Sequence, residues 1–246
     1  MSLSDYRTAV VTGASSGIGA AVAAGLARRG LRVHAAARRK DRLEALARET
    51  GCVVHPMDVR DTAALYREFD GRIVDVVVNN AGLGKGFAAL HTVAPEDIDT
   101  SVDTNVRAVY HLLRAVLPGM VERRRGHVVN IGSMAGLYAL QSSVYGGTKA
   151  AVHMLSRNLR LELEGTGVRV TEICPGRVNT EFYDVAIDDP RQRSRIKDSG
   201  VRELQPEDVA AAVFYALDTP WHVNVNSIEL QPVEQIYGGS RFTPVR

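Results

Sequence analysis

Apolar runs and amphipathic stretches alternate along this chain with little left between them. Arg7 to Thr12 is a short apolar run ending at Gly13, and a helical pattern follows from Ala20 to about Arg29, where Gly30 is placed to end it. Leu31 to Ala37 predicts a second strand, Lys40 to Glu49 a helix, Val53 to Met57 a third strand and Thr62 to Phe69 a brief helix. Val74 to Val78 is apolar enough for a central parallel strand. Pro95-Glu96-Asp97 carries the proline and acids of a helix start and predicts one long helix to about Arg124. Val128 to Ile131, Val168 to Cys174 and Ser227 to Leu230 read as strands, and Ser143 to Glu164 and Pro206 to Leu217 as helices.

This rhythm predicts a doubly wound parallel α/β sheet covered on both faces, in a single domain over residues 1–246. No repeat, linker or low-complexity segment divides it, and only the polar stretch from Asn179 to Gly200 interrupts the pattern. Ligands of such sheets bind beyond the carboxyl ends of the strands. Gly13, Arg38, Asp58, Asn79, Ser133 and Pro175 all fall just past predicted strand ends, which places unusual residues on one rim.

Composition narrows the picture. Hydrophobic residues at 45% and charged residues at 24% are ordinary for a globular protein, and a net charge of +2 gives no argument for nucleic acid or an anionic membrane surface. Arg123-Arg124-Arg125 reads as a solvated helix C-terminus. The first residues lack the apolar core of a signal peptide and no run is long enough to span a bilayer, so a cytoplasmic protein is expected. Cys52 and Cys174 read as buried thiols, and the His residues show no metal-ligand spacing; no metal is expected.

Three features carry chemistry. Gly13, Gly17 and Gly19 sit between a strand and a helix, where a glycine turn lets backbone approach a pyrophosphate at a helix N-terminus; the alternative is a tight turn with no ligand. The second strand ends in Arg38-Arg39 with no acid to hold a ribose 2′-hydroxyl. Cations there suit a 2′-phosphate, so NADP is the expected cofactor, with Arg38 first and Arg39 second, unless both are solvated. Asp58 is placed either to accept from an adenine amino group or to cap the next helix. Tyr145 and Lys149 are one helical turn apart, so an ammonium beside the phenol is expected to lower its pKa. Ser142 and Ser143 read as N-cap residues of that helix.

Taken together, Thr12-Gly13-x-x-x-Gly17-x-Gly19, Asn79-Asn80-Ala81-Gly82, Asn105, Ser133, Tyr145-x-x-x-Lys149 and Pro175-Gly176-x-Val178-x-Thr180 resemble the short-chain dehydrogenase/reductase family, over nearly the whole chain. The resemblance implies a Rossmann-type sheet of seven strands, a nicotinamide cofactor, interconversion of a small carbonyl and alcohol, and a homotetramer built on the two long helices and the last helix and strand. It implies that Tyr145 is the acid/base, that Lys149 binds the nicotinamide ribose and depresses the Tyr145 pKa, and that Ser133 holds the substrate oxygen. Asn105 would position a water linking Lys149 to solvent. Cofactor contacts would run through Gly13, Ser15, Ser16, Gly17, Ile18 and Gly19, then Arg38, Arg39, Asp58 and Val59. They would continue through Asn79, Asn80, Ala81 and Gly82 to Tyr145 and Lys149. Pro175, Gly176, Val178 and Thr180 would hold the nicotinamide end.

Tyr145 follows Ser133 by only twelve residues, short for the family, so Tyr138 and Gln141 are expected to shape the pocket, with Gln141 a substrate contact beside Ser133 and Tyr145. The stretch from Asp58 to Asn79 is also short and implies a trimmed helix. Residues 180–200 would form a substrate flap, whose Arg191, Arg193, Arg195 and Lys197 are candidates, with Lys85, for a substrate carboxylate, or else a solvated face mixed with Asp184, Asp188, Asp189 and Asp198. Ala115 to Arg123, Gly126 to Ser133, Thr180-Glu181-Phe182, and His222 to Asn226 with Gln231-Pro232-Val233 further resemble bacterial NADP-dependent 3-hydroxy acid (serine) dehydrogenases. A broad aldehyde/ketone or 3-oxoacyl reductase is the rival enzyme, and a non-catalytic NADP-binding regulator the rival outside enzymes.

Overall fold

Seven strands make one sheet: β1 Thr8–Thr12, β2 Arg32–Ala37, β3 Val53–Pro56, β4 Val76–Asn79, β5 Gly126–Ile131, β6 Val168–Pro175 and β7 Ser227–Leu230. All pair in parallel in the order β3-β2-β1-β4-β5-β6-β7, so the strand order reverses beside β1 and opens a crevice between β1 and β4. The structure is a computed structural model and describes residues 3–187, 189–197 and 200–236.

The apolar runs are near-continuous because both faces are buried. Alternate side chains go to opposite faces. Val11, Val78, Val129 and Ile173 pack under α1 (Gly17–Arg28) and α10 (Pro206–Asp218), with Leu43 of α2 (Lys40–Thr50) at one edge. Val10, Val77, Val128 and Val170 pack under α3 (Thr62–Phe69), α5 (Ala108–Glu122) and α7 (Ser143–Glu162). The parallel seven-strand sheet matches expectation.

The long helix expected from Pro95 to Arg124 is broken. It runs as α4 (Pro95–Val102), a π-turn at Asp103–Arg107 and then α5. The wider turn carries Thr104 and Asn105 into the interior, a feature common at functional sites. Asp61, not Asp58, caps α3, its carboxylate accepting from the Ala64 N–H at 3.0 Å. Ser142 alone is the N-cap of α7; Ser143 is already its first helical residue.

The arginine run is not simply solvated. Arg123 donates to the Val74 carbonyl at 2.7 Å, and Arg125 lies 3.7 Å from the buried Asp75 carboxylate. A four-residue helix, α6 (Met134–Leu137), follows Ser133, and the flap folds into α8 (Phe182–Ala186) and α9 (Pro190–Lys197). Asp188 and Asp198 lie outside the described residues, as do the side chains of Arg195 and Lys197.

At the amino ends of the strands, far from the crevice mouth, buried Arg169 ties β6 to the end of α10. Its guanidinium donates to the carbonyls of Leu217, Thr219 and Val223 at 3.0, 3.2 and 3.0 Å and to the Tyr6 hydroxyl at 2.7 Å. Carbonyls of a helix C-terminus carry partial negative charge and suit a buried cation.

Candidate active site

A cleft of about 650 Å³ opens over the carboxyl ends of the strands. One end is walled by the glycine loop and Arg38, the other by Ser133, Tyr138, Tyr145, Lys149 and the flap residues Phe182 and Tyr183. The topology positions both ends, since β1 delivers the loop and β5 and α7 deliver the Ser–Tyr–Lys set to the same rim.

The glycine loop is shaped for close approach. Gly13 adopts φ +67°, and a Cβ there would come within 2.7 Å of the Asn80 amide and 2.9 Å of the Ala81 backbone. Asn80 fixes the loop by donating to the Thr12 carbonyl at 2.9 Å, while the Thr12 hydroxyl accepts from the Asn80 and Ala81 N–H groups. Gly13, Ser15, Ser16, Gly17 and Ile18 face the cleft at the N-terminus of α1, as expected of a pyrophosphate cradle. Gly19 does not line it; a Cβ at Gly19 would strike the Gly13 carbonyl and the Asn80 amide, so this glycine sets helix-to-loop packing instead.

The two arginines after β2 differ. Arg38 is exposed on the cleft rim and forms no ion pair among the described residues. Arg39 is already engaged, donating to Ser15 Oγ at 3.1 Å, Ser16 Oγ at 2.5 Å and Glu181 at 2.6 Å. Glu181 also accepts from Arg42 at 2.7 Å, and these two hydrogen bonds hold its carboxyl down at about 2. The bridge ties the flap to the cofactor end of the cleft. Asp58 and Val59 line the same end, with Asp58 held below the usual carboxylate range first by the Arg60 side chain.

At the other end, Lys149 is buried and donates to the Ile131 carbonyl at 2.9 Å. Its Nζ lies 6.0 Å from the centre of the Tyr145 ring. The expected lowering of the Tyr145 pKa is not seen. Burial pushes the phenol up to about 12; the neighbouring Ser133 hydroxyl acts in the opposite direction and Tyr183 adds to the rise. Burial brings the Lys149 ammonium down to about 8. Ser133 caps α6 by accepting from the Ala135 N–H at 3.1 Å, which fixes its hydroxyl toward the cleft floor.

Besides Gly19, three expected site residues stand elsewhere. Asn79 is buried inside the sheet, donating to Asn130 at 2.8 Å, and does not line the cleft, whereas Asn80, Ala81 and Gly82 do. Gln141 is exposed and also off the cleft; Tyr138, Ala139 and Leu140 of the same loop face it instead. Asn105 lies behind the wall. Its amide closes a two-way pair with Leu83, accepting from N–H and donating to C=O at 2.9 Å each, and donates to Thr148 at 3.0 Å. It therefore braces the loop carrying Gly82, where a Cβ would sit 3.5 Å from Lys149 Nζ. Pro175, Gly176, Val178 and Thr180 line the cleft as expected.

An aromatic wall, not foreseen from the residue pattern, lines this end of the cleft. Tyr145 packs against Phe182 and Phe87 with ring centres 5.1 and 5.8 Å away. Phe182 lies over Gly84, where a side chain would strike it, so the flap is seated on the loop after β4. Phe87 and Phe182 sit in irregular stretches with no period, and only the Thr180-Glu181-Phe182 motif pointed near one of them. Arg177, also missed, lines the cleft with its guanidinium paired to Glu203 and 5.5 Å from the Tyr183 ring centre. Among the other carboxylate candidates, Lys85 lies 3.8 Å from Asp97, Arg193 donates to the Ile187 carbonyl at 2.9 Å, and neither lines the cleft; Arg191 is exposed.

Comparison with known proteins agrees with this geometry. The family model for short chain dehydrogenase matches residues 7–190. The chain is 42% identical over 239 residues to the NADP-dependent 3-hydroxy acid dehydrogenase YdfG of Salmonella typhi, covering 94% of this chain and 96% of that protein. It is 40% identical over 240 residues to serine 3-dehydrogenase of Agrobacterium fabrum, again covering 94% and 96%. A solved closed form of serine dehydrogenase complexed with NADP+ superposes with a TM-score of 0.89 at 40% identity, covering 96% of this chain and 99% of that one. With a family model spanning most of the chain and relatives of this identity over nearly its full length, the protein belongs to the short-chain dehydrogenase family.

Proposed function

We propose that this protein is an NADP-dependent oxidoreductase moving hydride between the nicotinamide and a small alcohol or carbonyl compound, with short 3-hydroxy acids and their semialdehydes as first substrates. The observation that carries the reading is one cleft joining a glycine cradle and an unpaired Arg38 at one end to Ser133, Tyr145 and Lys149 at the other. The glycine loop fits the cofactor, because its carbon-free faces leave backbone open beside a helix N-terminus. Arg38 would hold the 2′-phosphate, Arg39 with Ser15 and Ser16 its surroundings, and Val178 and Thr180 the nicotinamide end. When bound, the nicotinamide supplies or accepts the hydride.

The chain supplies the proton and the orientation. Ser133 and Tyr145 present two hydroxyls to the substrate oxygen, where negative charge develops during reduction. Tyr145 gives that oxygen its proton, and Lys149 holds the cofactor ribose. Asn105 keeps the Gly82 loop in place beside them. The relatives named for 3-hydroxy acids and for serine set the order of substrates to try. The apolar walls of Phe87, Phe182 and Leu140 favour a second reading, a broad aldehyde or ketone reductase.

A panel of 3-hydroxypropionate, serine, aliphatic aldehydes and 3-oxoacyl thioesters, run with both cofactors, separates these. Turnover of hydroxy acids above the rest supports the first reading; preference for uncharged carbonyls supports the second; no turnover of anything despite NADPH binding would leave a cofactor-binding regulator. Arg38→Ala is expected to weaken NADPH about ten- to a hundredfold, the size of a lost charge-assisted contact, and NADH little. Fluorescence titration checks this, and an equal loss for both cofactors would refute the assignment.

A homotetramer in the cytoplasm is part of the same proposal. Tyr110, Met154 and Leu161 stand 50%, 50% and 75% exposed on α5 and α7, an apolar surface suited to a second copy. Among the described residues no helix is long and apolar enough to cross a membrane, and no cluster of side chains is arranged to hold a metal.

A further inference from the structure

Against α7, which carries Lys149, lies a buried acid that does not line the cleft and that the reaction outlined above does not use. Glu172 is on β6, opposite Asn130 of β5, and is 0% exposed. Its Oε2 accepts from His153 Nδ1 at 2.7 Å, and His153 lies on α7 one turn after Lys149. Its Oε1 has no hydrogen-bond partner among the described residues and presses against Gly132, where any Cβ would strike it. Lys149 meanwhile donates to the carbonyl of Ile131, the residue before Gly132. Carboxylate and ammonium thus bear on adjacent residues, Gly132 just after β5 and Ile131 at its end.

A carboxylate this deeply buried is costly to charge unless a cation lies near it. We infer that Glu172 is a positioning residue for Lys149: fixed between His153 and the Gly132 backbone, its carboxylate keeps the Lys149 side chain charged and seated on the Ile131 carbonyl. The inference rests on the reading of Lys149 as part of the reacting site.

The surroundings single out Glu172 as the source of the charge. Burial lowers the Lys149 ammonium, and Cys174 and Glu172 oppose that. Cys174, two residues along the same face of β6, has its thiol pushed up to about 12, first by burial and then by Glu172, so it is uncharged at pH values where Lys149 titrates. Arg160 of α7 also feels Glu172, but its guanidinium is turned to the carbonyls of Val170 and Asn226. From β7, Glu229 acts on Cys174, and its carboxylate is held by the Tyr138 hydroxyl at 2.9 Å. His153, Lys149, Arg160, Cys174 and Glu229 are the charged or titratable groups bearing on this spot.

The test is the pH profile of kcat/KM for carbonyl reduction. In the unaltered protein it should fall as pH rises through the Lys149 pKa. Glu172→Gln removes the charge that favours the ammonium, so that limb should move down by about one pH unit or more, with the NADPH-binding fold retained by circular dichroism. Glu172→Asp keeps the charge and should restore most of the shift. His153→Leu leaves the buried carboxylate without its donor, disfavours its charged form and should move the limb the same way by a smaller amount. Because His153 is partly exposed, this variant remains informative if Glu172→Gln does not fold. Downward displacements in both, the larger in Glu172→Gln, support the proposal; a limb that stays in place or moves up overturns it. Tyr145→Phe separates the two readings. Retained turnover there would remove the site assignment itself, whereas an inactive Tyr145→Phe beside an unmoved Glu172→Gln limb removes only the role of Glu172.

Discussion

Replacing Tyr145 by Phe is expected to lower kcat by about 10²–10⁴-fold, the range for loss of a positioned general acid, with NADPH affinity essentially unchanged. The ring is buried against Phe182 and Phe87, so Phe fills the same volume and the packing survives. What disappears is the hydroxyl that faces Ser133. A phenol pushed up to about 12 holds its proton throughout the neutral range, which suits it to give that proton away. Reduction should therefore show no change assignable to Tyr145 between about pH 6 and pH 9, its alkaline loss following Lys149 at about 8. Oxidation needs the phenolate and should rise with pH up to about 8, where loss of the Lys149 charge levels it. Steady-state rates in both directions, followed by NADPH absorbance, check these signs. A Tyr145→Phe protein within about tenfold of the original kcat would remove Tyr145 from the chemistry.

The features of the site that were legible in the sequence are those fixed by local pattern. The glycine loop, Arg38 and the Tyr145–Lys149 pair each sit at a strand end or on a helical repeat, and the alternation of elements brings strand ends to one rim. Features that depend on tertiary surroundings were not legible. The spacing of Tyr145 and Lys149 places an ammonium 6.0 Å from the phenol ring centre, but burial is the largest effect on both groups, because desolvation penalises each charged form. Asn79 and Asn80 are adjacent in the sequence, yet strand alternation turns the first inward to Asn130 and leaves the second at the cleft. The π-turn that buries Asn105 inserts a residue into a helix whose start signals and apolar period read as unbroken. The flap showed charges without period, and its contribution to the wall, Phe182 over Gly84, is a contact between segments far apart in sequence.

Arg169→Met should produce the largest loss of stability of any substitution away from the cleft. The side chain is 4% exposed, and its partners at Leu217, Thr219 and Val223 are main-chain carbonyls at and just after the end of α10, of which Val223 alone also accepts from the Thr219 hydroxyl, at 3.5 Å. Methionine fills much of the volume but leaves these carbonyls and the Tyr6 hydroxyl without their donor. Each buried group left unpaired costs about 1–3 kcal/mol, and water entering a loosened end recovers part of this, so a net loss of about 3–5 kcal/mol is expected. For a chain of this length that corresponds to a fall in Tm of roughly 6–20 °C. The loss should extend along the rest of the network. Tyr6 is 3.4 Å from His127, His127 is 2.8 Å from Thr171, and Thr171 donates to the Val225 carbonyl at 2.7 Å. Arg169→Lys should recover little, since one ammonium cannot reach carbonyls that the planar guanidinium spans from two nitrogens. Because these groups lie at the opposite end of the strands from Tyr145, kcat measured well below the new Tm should stay near the original. Differential scanning calorimetry paired with kcat at low temperature checks both statements. A Tm within a degree or two of the original would mean that the α10 carbonyls find water as readily as they find Arg169, and that the buried arginine is tolerated at this position without being needed there.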